Sequence, residues 1–164
     1  GESGVRGVLW NDGDEPALVG DVERVESEDL AGPLHVLADG HGRGVFNGKI
    51  IVMPGAAGSN AALSNRNLLL AATAEIDTKP ELEIYVDDVR CSHGATTGQL
   101  DANALFYLRS RGLDPAAARQ VVTAAFLREA LGHIAPPELR ARLEARLEEK
   151  LGGSIAIAGP GAEP

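Results

Sequence analysis

The sequence has one cysteine, Cys91, among its 164 residues. A single thiol cannot form a disulfide within the chain, and it cannot build a multi-cysteine zinc or iron-sulfur site unless other ligands come from elsewhere. Aromatic residues make up only 4% of the chain, which leaves few side chains to stack on a sugar ring. The carboxylates Glu81, Glu83, Asp87 and Asp88 are therefore poor candidates for a glycosidase pair.

Long apolar runs are also missing, and the stretch 68–72 is typical of the longest ones. Such runs are far too short to cross a bilayer, and no basic segment followed by an apolar segment marks a secretory signal. The motif Gly-x-x-x-x-Gly-Lys-Ser/Thr is absent, so we do not expect this chain to bind ATP in a P-loop. These features predict a soluble, cytoplasmic protein without a membrane partner.

Positive charge is scarce in the first part of the chain. Residues 1–98 hold 7 basic and 16 acidic residues and so carry the whole net charge of −9, whereas residues 99–164 hold 8 of each. An acidic balance disfavours a nucleic-acid or anionic-membrane surface, since both need clustered lysine and arginine. We expect the acidic run within 12–29 to be a solvated loop or rim. Its spacing matches no calcium-binding loop, although a cation-binding rim is the alternative.

Short apolar or alternating runs punctuated by Gly, Asn, Asp and Pro predict β-strands in the first part. The predicted strands cover residues 5–10, 34–38, 45–53, 68–74 and 82–89. In the last run Leu82, Ile84 and Val86 alternate and should share one face. No helical pattern of 10–15 residues separates the runs, which disfavours a βαβ sheet. A sandwich, a barrel and a β-solenoid all remain open, and no internal repeat is evident.

The second part of the chain predicts three helices. Asp101 is a candidate N-cap for the first helix, which should end before Gly112. Asp114 followed by proline marks the start of the second helix, where Val122, Phe126, Ala130 and Ile134 recur at four-residue steps. The third helix should begin at Pro136-Pro137. It carries a stripe of Leu139, Leu143, Leu147 and Leu151, which packs on its own domain or docks a partner.

The densest polar cluster is the segment 87–94, Asp-Asp-Val-Arg-Cys-Ser-His-Gly. If this segment is extended, Cys91 and His93 share a face because side chains repeat every two residues. The two side chains can both ligate a soft or borderline metal, or pair as thiolate and imidazolium. A lone cysteine is, however, among the most buried residue types and is usually an inert structural residue. The spacing alone does not decide between these roles.

Five blocks of the sequence form a recognisable set. They are Gly44-Val45-Phe46-Asn47-Gly48-Lys49-Ile50, Asn65-Arg66-Asn67-Leu68-Leu69-Leu70, 76–85, 87–96 and 105–112. In order and with matching spacing, these blocks resemble the SufB/SufD family of the SUF system, which assembles iron-sulfur clusters. The match runs from about residue 34 to 151, and the Cys-Ser-His-Gly-Ala block resembles the SufD branch. The SufB branch typically has Glu-His-Glu-Ala there.

The resemblance implies a chain that is mainly β with a helical C-terminus. Its implied fold is a right-handed parallel β-helix followed by a small α-helical subdomain. Residues 1–98 would be the C-terminal turns of the β-helix, 99–151 the helical subdomain and 152–164 a flexible tail. Because family members are considerably longer and residues 1–33 match weakly, we expect this chain to be the C-terminal part of a longer scaffold.

The resemblance also implies a non-catalytic assembly subunit. Such a subunit would pair with a SufB-like chain, or with itself as a homodimer, and would dock the SufC-like ABC-type ATPase. An iron-sulfur cluster or iron would be held transiently at the shared interface, and a flavin in the full complex is compatible with the resemblance. His93 would be an interface residue and a metal ligand, with Cys91 beside it.

For ATPase docking, the resemblance points to residues 101–135, with Arg109, Arg111 and Tyr107 as the candidate contacts. We expect Phe106 and Phe126 to close the core instead. Two alternatives stand beside the assembly function. One is a β-solenoid module that binds metal or thiol outside SUF assembly, and the other is an enzyme that uses Cys91 and His93.

Overall fold

The computed structural model describes the backbone of residues 7–11, 17–25, 30–134 and 136–151, and the side chains of these residues from Pro33 onward. The chain divides into two compact units with the boundary between Gln99 and Leu100. The first unit holds the strands and the second holds the helices. The predicted tail, 152–164, lies outside the described residues, as does part of the acidic run.

The first unit contains seven described strands in two parallel sheets. One sheet has the order β1-β3-β5-β7 and the other has the order β2-β4-β6, so successive strands alternate between the sheets. Every pairing therefore joins a strand to the strand two places along the chain. The strands are β1 Gly7–Asn11, β2 Ala17–Val25, β3 Leu30–Ala38, β4 Arg43–Val52, β5 Asn60–Leu69, β6 Glu75–Ile84 and β7 Arg90–Gln99.

Strand β4 shows most clearly how the core forms. Its buried residues alternate with more exposed ones along the whole strand, as a pleated strand with one buried face requires. Phe46 packs with Leu34 and Val36 of β3, and Ile50 and Val52 form a second cluster with residues of the following turn and β5. Gly48 is needed beside Phe46, because a Cβ there would lie 2.3 Å from the ring Cζ atom. The core therefore lies between the two sheets.

Ion pairs line the opposite, solvent-facing side of β4 and β6. Arg43 Nη2 lies 2.6 Å from Asp77 Oδ2, and Lys49 Nζ lies 2.6 Å from Glu83 Oε1. The hydrogen bond and charge of Asp77 raise the pKa of Arg43, and those of Glu83 raise the pKa of Lys49. Because all four side chains remain in contact with water, the pairs contribute little to stability.

The predicted strand positions are right for β1, β3 and β4 and largely wrong for the next two. The runs predicted at 68–74 and 82–89 overlap only the last residues of β5, Asn60–Leu69, and β6, Glu75–Ile84, and otherwise lie in the turns that follow them. The error for β5 arises because the buried face of β5 carries asparagines in place of apolar residues. Leu82 and Val86 pack on the core as expected, but Ile84 ends β6 and is 46% exposed.

Two strands were not predicted. β2, Ala17–Val25, lies within the acidic run that we interpreted as loop or rim, so that interpretation is wrong for these residues. β7, Arg90–Gln99, is polar and rich in glycine, and no apolar alternation marks it. Both pair with a neighbouring parallel strand, and such pairing depends on residues far away in the sequence.

The second unit contains three helices whose starts agree with the caps read from the sequence. They are α1 Ala102–Ser110, α2 Pro115–Leu131 and α3 Pro137–Lys150. Asp101 accepts a hydrogen bond from the Asn103 amide, and Asp114 accepts from the amides of residues 116 and 117. Gly112 follows α1 with a φ of +96°, the left-handed conformation that glycine adopts most readily. Among the described residues, no helix is both long and apolar enough to cross a membrane.

Helices α2 and α3 are joined by polar contacts as well as by apolar packing. Arg128 donates to Glu148 at 2.9 Å, and Gln120 donates to the Leu151 carbonyl at 2.9 Å. Along the predicted leucine stripe, burial varies: Leu147 is buried, whereas Leu139 is 43% exposed. The stripe therefore packs within its own unit toward the end of α3.

Candidate functional site

The strand that carries Cys91 and His93 lies at the edge of its sheet. β7 pairs with β5 on one side and is the last strand in the sheet order. Cys91 is opposite Ala61 and His93 is opposite Leu63. Because opposed residues in a parallel pair point to the same side, Cys91 and His93 both lie on the core-facing side of β7. The structure thus brings together the two residues that the sequence singled out.

Cys91 and His93 differ in burial although they share a face. Cys91 is a free thiol that packs against the apolar cluster of Ile50, Val52, Ala56 and Ala61 and remains partly accessible. His93 is exposed, because among the described residues no further strand covers this side of the sheet end. A partly sheltered thiol beside an open imidazole can provide two ligands to a shared site.

The described part of the chain does not complete a metal site by itself. It contains no group of three or more His, Cys, Asp and Glu side chains placed to hold a metal ion. Asp87 and Asp88, which precede β7, are exposed, and their backbone helps to close the turn: the Asp88 carbonyl accepts from the Gly58 amide at 2.6 Å. An iron or cluster at Cys91 and His93 would therefore need ligands from outside the described residues.

A polar cluster built around two buried asparagines lies further along the same face of the sheet. Asn65 and Asn67 of β5 are both buried, at 1% and 4% exposure. Asn67 Nδ2 donates to Asn65 Oδ1 at 2.7 Å and contacts Thr97 Oγ1 of β7 at 3.2 Å. Thr78 Oγ1 of β6 donates to Asn65 Oδ1 at 2.6 Å. This polar cluster, Asn65, Asn67, Thr78 and Thr97, connects both sheets.

We did not identify the polar cluster from the sequence. The two asparagines stand two residues apart in a strand, the spacing that places both on one face, and this was the signal available. An alternating Asn-x-Asn pattern is more common in turns than in buried strands, so it does not indicate an interior position. Only the register with β7 reveals that Thr97 is opposite Asn67.

The candidate docking residues are accessible and lie on α1, except Arg111, which caps its C-terminal end. Tyr107 is 56% exposed, and the Arg111 guanidinium lies 5.2 Å from the centre of its ring. Arg109 is exposed as well. Phe106, which we expected to close the core, is instead 72% exposed, whereas Phe126 is half-buried. The expectation for Phe106 is therefore wrong, and this ring joins the exposed aromatic and basic residues of α1.

Comparisons with known proteins agree with the blocks seen in the sequence. Residues 34–126 match the family described as "SUF system FeS cluster assembly, SufBD core domain". This matched range runs from β3 through most of α2 and includes Cys91, His93 and the exposed face of α1.

Individual relatives carry related names. The iron-sulfur cluster assembly protein SufD of Escherichia coli is 46% identical over 112 residues, which are 68% of this chain and 26% of that protein. A SufBD family iron-sulfur cluster assembly protein of Synechocystis is 48% identical over 107 residues, 65% of this chain and 24% of that protein. The chloroplastic protein ABCI7 of Arabidopsis thaliana is 37% identical over 105 residues, 64% of this chain and 22% of that protein.

The chain spans about a quarter of the length of these curated relatives. The matched segment nevertheless covers more than half of the chain and both groups of candidate residues. The chain therefore belongs to the SufB/SufD family of iron-sulfur cluster assembly proteins and is SufD-like.

Proposed function

We propose that this chain is part of a SufD-like subunit of an iron-sulfur cluster assembly scaffold. The observation that carries the proposal is the position of Cys91 and His93, side by side on the core-facing side of an edge strand. The scaffold does not itself catalyse a reaction. It holds iron or a nascent cluster as cargo at a site to which the described residues of this chain contribute two ligands, Cys91 and His93.

The first unit is the end of a right-handed parallel β-helix in this proposal. Support comes from the alternation of successive strands between two parallel sheets and from pairings such as that of Asn67 with Thr97, 30 residues apart. Repeats of this length stack into solenoids, in which each layer buries its core face on the next. Connections between parallel strands of one sheet are almost always right-handed.

A second subunit pairs with the open end of this scaffold. β6 and β7 are the last strands of their sheets, and among the described residues no strand pairs with their outer edges. Unpaired backbone groups on an edge strand readily add a strand from another chain. A SufB-like chain is the preferred partner, and a second copy of this chain is the alternative. Either would bring its own ligands to His93 and Cys91.

The exposed face of α1 docks the SufC-like ATPase in this proposal. Phe106, Tyr107, Arg109 and Arg111 combine exposed rings with two guanidinium groups, and aromatic residues and arginine dominate the binding energy of many interfaces. We expect Phe106→Ala to weaken ATPase binding by about 2 kcal/mol or more. The exposed Arg142 on α3 is the matched control, and Arg142→Ala should bind normally. Equal affinities of the two variants would contradict docking at α1.

The cluster-assembly proposal is tested by co-purification with SufB-like and SufC-like partners, followed by anaerobic reconstitution and absorbance spectra. We expect His93→Ala to form the complex but to build clusters about 10-fold more slowly or worse, as loss of a metal-site contact usually does. Ser92→Ala, on the opposite face of β7, is the matched control and should assemble clusters at the normal rate. A His93→Ala complex with a normal rate would remove the assigned role of His93.

The same experiment separates the alternatives. A β-solenoid module outside SUF assembly would bind neither partner, or would bind without any dependence of cluster formation on His93. A Cys-His enzyme would turn over a substrate without partners, and Cys91→Ala would abolish that turnover.

A further inference from the structure

The sequence of β7 contains little that would fix its register against β5. Its ten residues, Arg-Cys-Ser-His-Gly-Ala-Thr-Thr-Gly-Gln, include no large apolar side chain, and only Cys91 is partly buried. The register of a strand is set mainly by its buried apolar residues, and polar, glycine-rich strands slip easily. A slip by one residue would turn both Cys91 and His93 to the other face of the sheet.

Besides the backbone bonds at its start, such as that from the Arg90 amide to the Ser59 carbonyl, two side-chain contacts of β7 mark the observed register, one near each end of the strand. Near the start, Cys91 packs against the apolar cluster around Ala61. Near the end, Thr97 Oγ1 lies 3.2 Å from Nδ2 of the buried Asn67. Asn67 is itself held by Asn65, which also accepts a hydrogen bond from Thr78 of the other sheet. Thr97 therefore binds a donor whose position is fixed from both sheets.

Each contact rejects different slips. One shift by a single residue would bring Arg90 opposite Ala61 and force a guanidinium toward the apolar cluster, which is unfavourable. The opposite single shift would bring Gly98 opposite Asn67, where glycine offers no side-chain acceptor. Among shifts by two residues, one places His93 at the apolar cluster and the other places Ala95 opposite Asn67.

We propose that Asn67 and Thr97 are positioning residues that hold β7 in the register that keeps Cys91 and His93 on the core-facing side. The packing of Cys91 disfavours the shifts that would bring a charged or polar side chain into the apolar cluster. The contact between Thr97 and Asn67 disfavours the shifts that would leave the Asn67 amide group without its acceptor. The register role stands on the geometry of this unit alone. The consequence for cluster assembly rests on the proposed function.

One further feature agrees with a positioning role. Asn67 Oδ1 is buried and has no hydrogen-bond partner among the described residues. An apolar residue would fill this place without leaving an unpaired acceptor, so the amide is kept at a cost. What the amide adds is the directional contact from its Nδ2 atom to Asn65 and Thr97.

The test is the rate at which a thiol reagent labels Cys91, the only cysteine of the sequence, in the intact chain under native conditions. Thr97→Val removes the hydroxyl with little change in shape. We expect labelling about fivefold faster, the population change that loss of one hydrogen bond produces. Thr97→Ser restores the hydroxyl and should return the rate to that of the unchanged chain. Thr96→Val, on the neighbouring position and opposite face, is the matched control and should label normally.

A general loss of stability is distinguished by Phe46→Leu, which weakens the separate apolar cluster around Phe46 and leaves intact the cluster that Cys91 contacts. At equal loss of melting temperature, only Thr97→Val should accelerate labelling and the hydrogen exchange of the β7 amides. The proposal is overturned if Phe46→Leu accelerates labelling as much, if Thr96→Val matches Thr97→Val, or if Thr97→Ser fails to restore the rate. If Thr97→Val does not fold, the same comparison is made with Thr97→Ala.

The labelling experiment needs no partner and no cluster. If Thr97→Val accelerates labelling as expected but the chain binds no SufB-like or SufC-like partner, the proposed function is contradicted and the positioning role stands. If cluster assembly depends on His93 but Thr97→Val leaves labelling unchanged, the positioning role is contradicted and the proposed function stands.

Discussion

Strands β4 and β7 are both ten residues long and both pair with parallel neighbours, yet they differ in how much of each strand is buried. β4 buries Phe46, Ile50 and Val52 at alternating positions, and its glycine at 48 lies against the Phe46 ring. β7 buries almost nothing. The comparison shows that an interior strand of this unit packs one whole face into the core, whereas the edge strand leaves nearly all of its side chains exposed.

The largest expected effect on stability comes from removing a buried apolar side chain of β4. Phe46→Ala should destabilise the protein by about 3–5 kcal/mol, because it removes a fully buried ring from between the sheets. The measurement is the free energy of unfolding in denaturant. His93→Ala on β7 is the counterpart, and as a substitution of an exposed residue it should change stability by about 0.5 kcal/mol or less. Similar losses at both positions would contradict the contrast between the strands.

A smaller effect is expected from adding one methyl group. Gly48→Ala would place Cβ 2.3 Å from the Phe46 ring, so the ring must move within a packed core. We expect a loss of about 1–3 kcal/mol, as for other overpacked cores. Gly94→Ala on β7 is the matched control, because a Cβ at that position would have no heavy atom within 4 Å beyond its chain neighbours. In thermal unfolding, Gly48→Ala should have a clearly lower melting temperature than Gly94→Ala. Equal melting temperatures would show that the Phe46 ring can move aside without cost.

The smallest expected effect concerns the solvent-facing ion pairs of β4. The hydrogen bond from Lys49 to Glu83 raises the pKa of Lys49 above its usual 10.5. Stability from a raised pKa is fully present below 10.5 and is lost as the pH rises through the higher folded-state value. Lys49→Met should therefore lower stability slightly at pH 7, less so at high salt, and the difference should shrink as the pH is raised beyond 10.5. A difference that grows with pH would contradict the ion pair as its source.

The helical unit was the easier half to predict. Its starts follow from Asp101, Asp114 and the prolines at 115 and 137, because capping is a contact between residues a few positions apart. The wrong expectation there was Phe106, which is exposed although phenylalanine is usually buried. Burial depends on what packs over a helix face, and that information is not local.

The strand unit was predicted only where its core is apolar. β4 has the alternation that marks a half-buried strand, whereas β5 hides asparagines inside and β7 has no apolar pattern. The candidate pair Cys91 and His93 was found from residue chemistry and from family resemblance. The polar cluster further along the same face was not, because its four members come from three strands.

The sequence by itself determined the helix caps, the alternating face of β4, the lack of a second cysteine and, through its matching blocks, the family. The caps and the alternation depend on residues close together in the sequence, and the cysteine count and the family match depend only on which residues are present and in what order. The tertiary structure alone decided which strands pair, that β7 is an edge, and that Thr97 is opposite Asn67. Those facts depend on contacts between residues 30 or more positions apart, and such contacts form only when whole strands stack and bury their shared face.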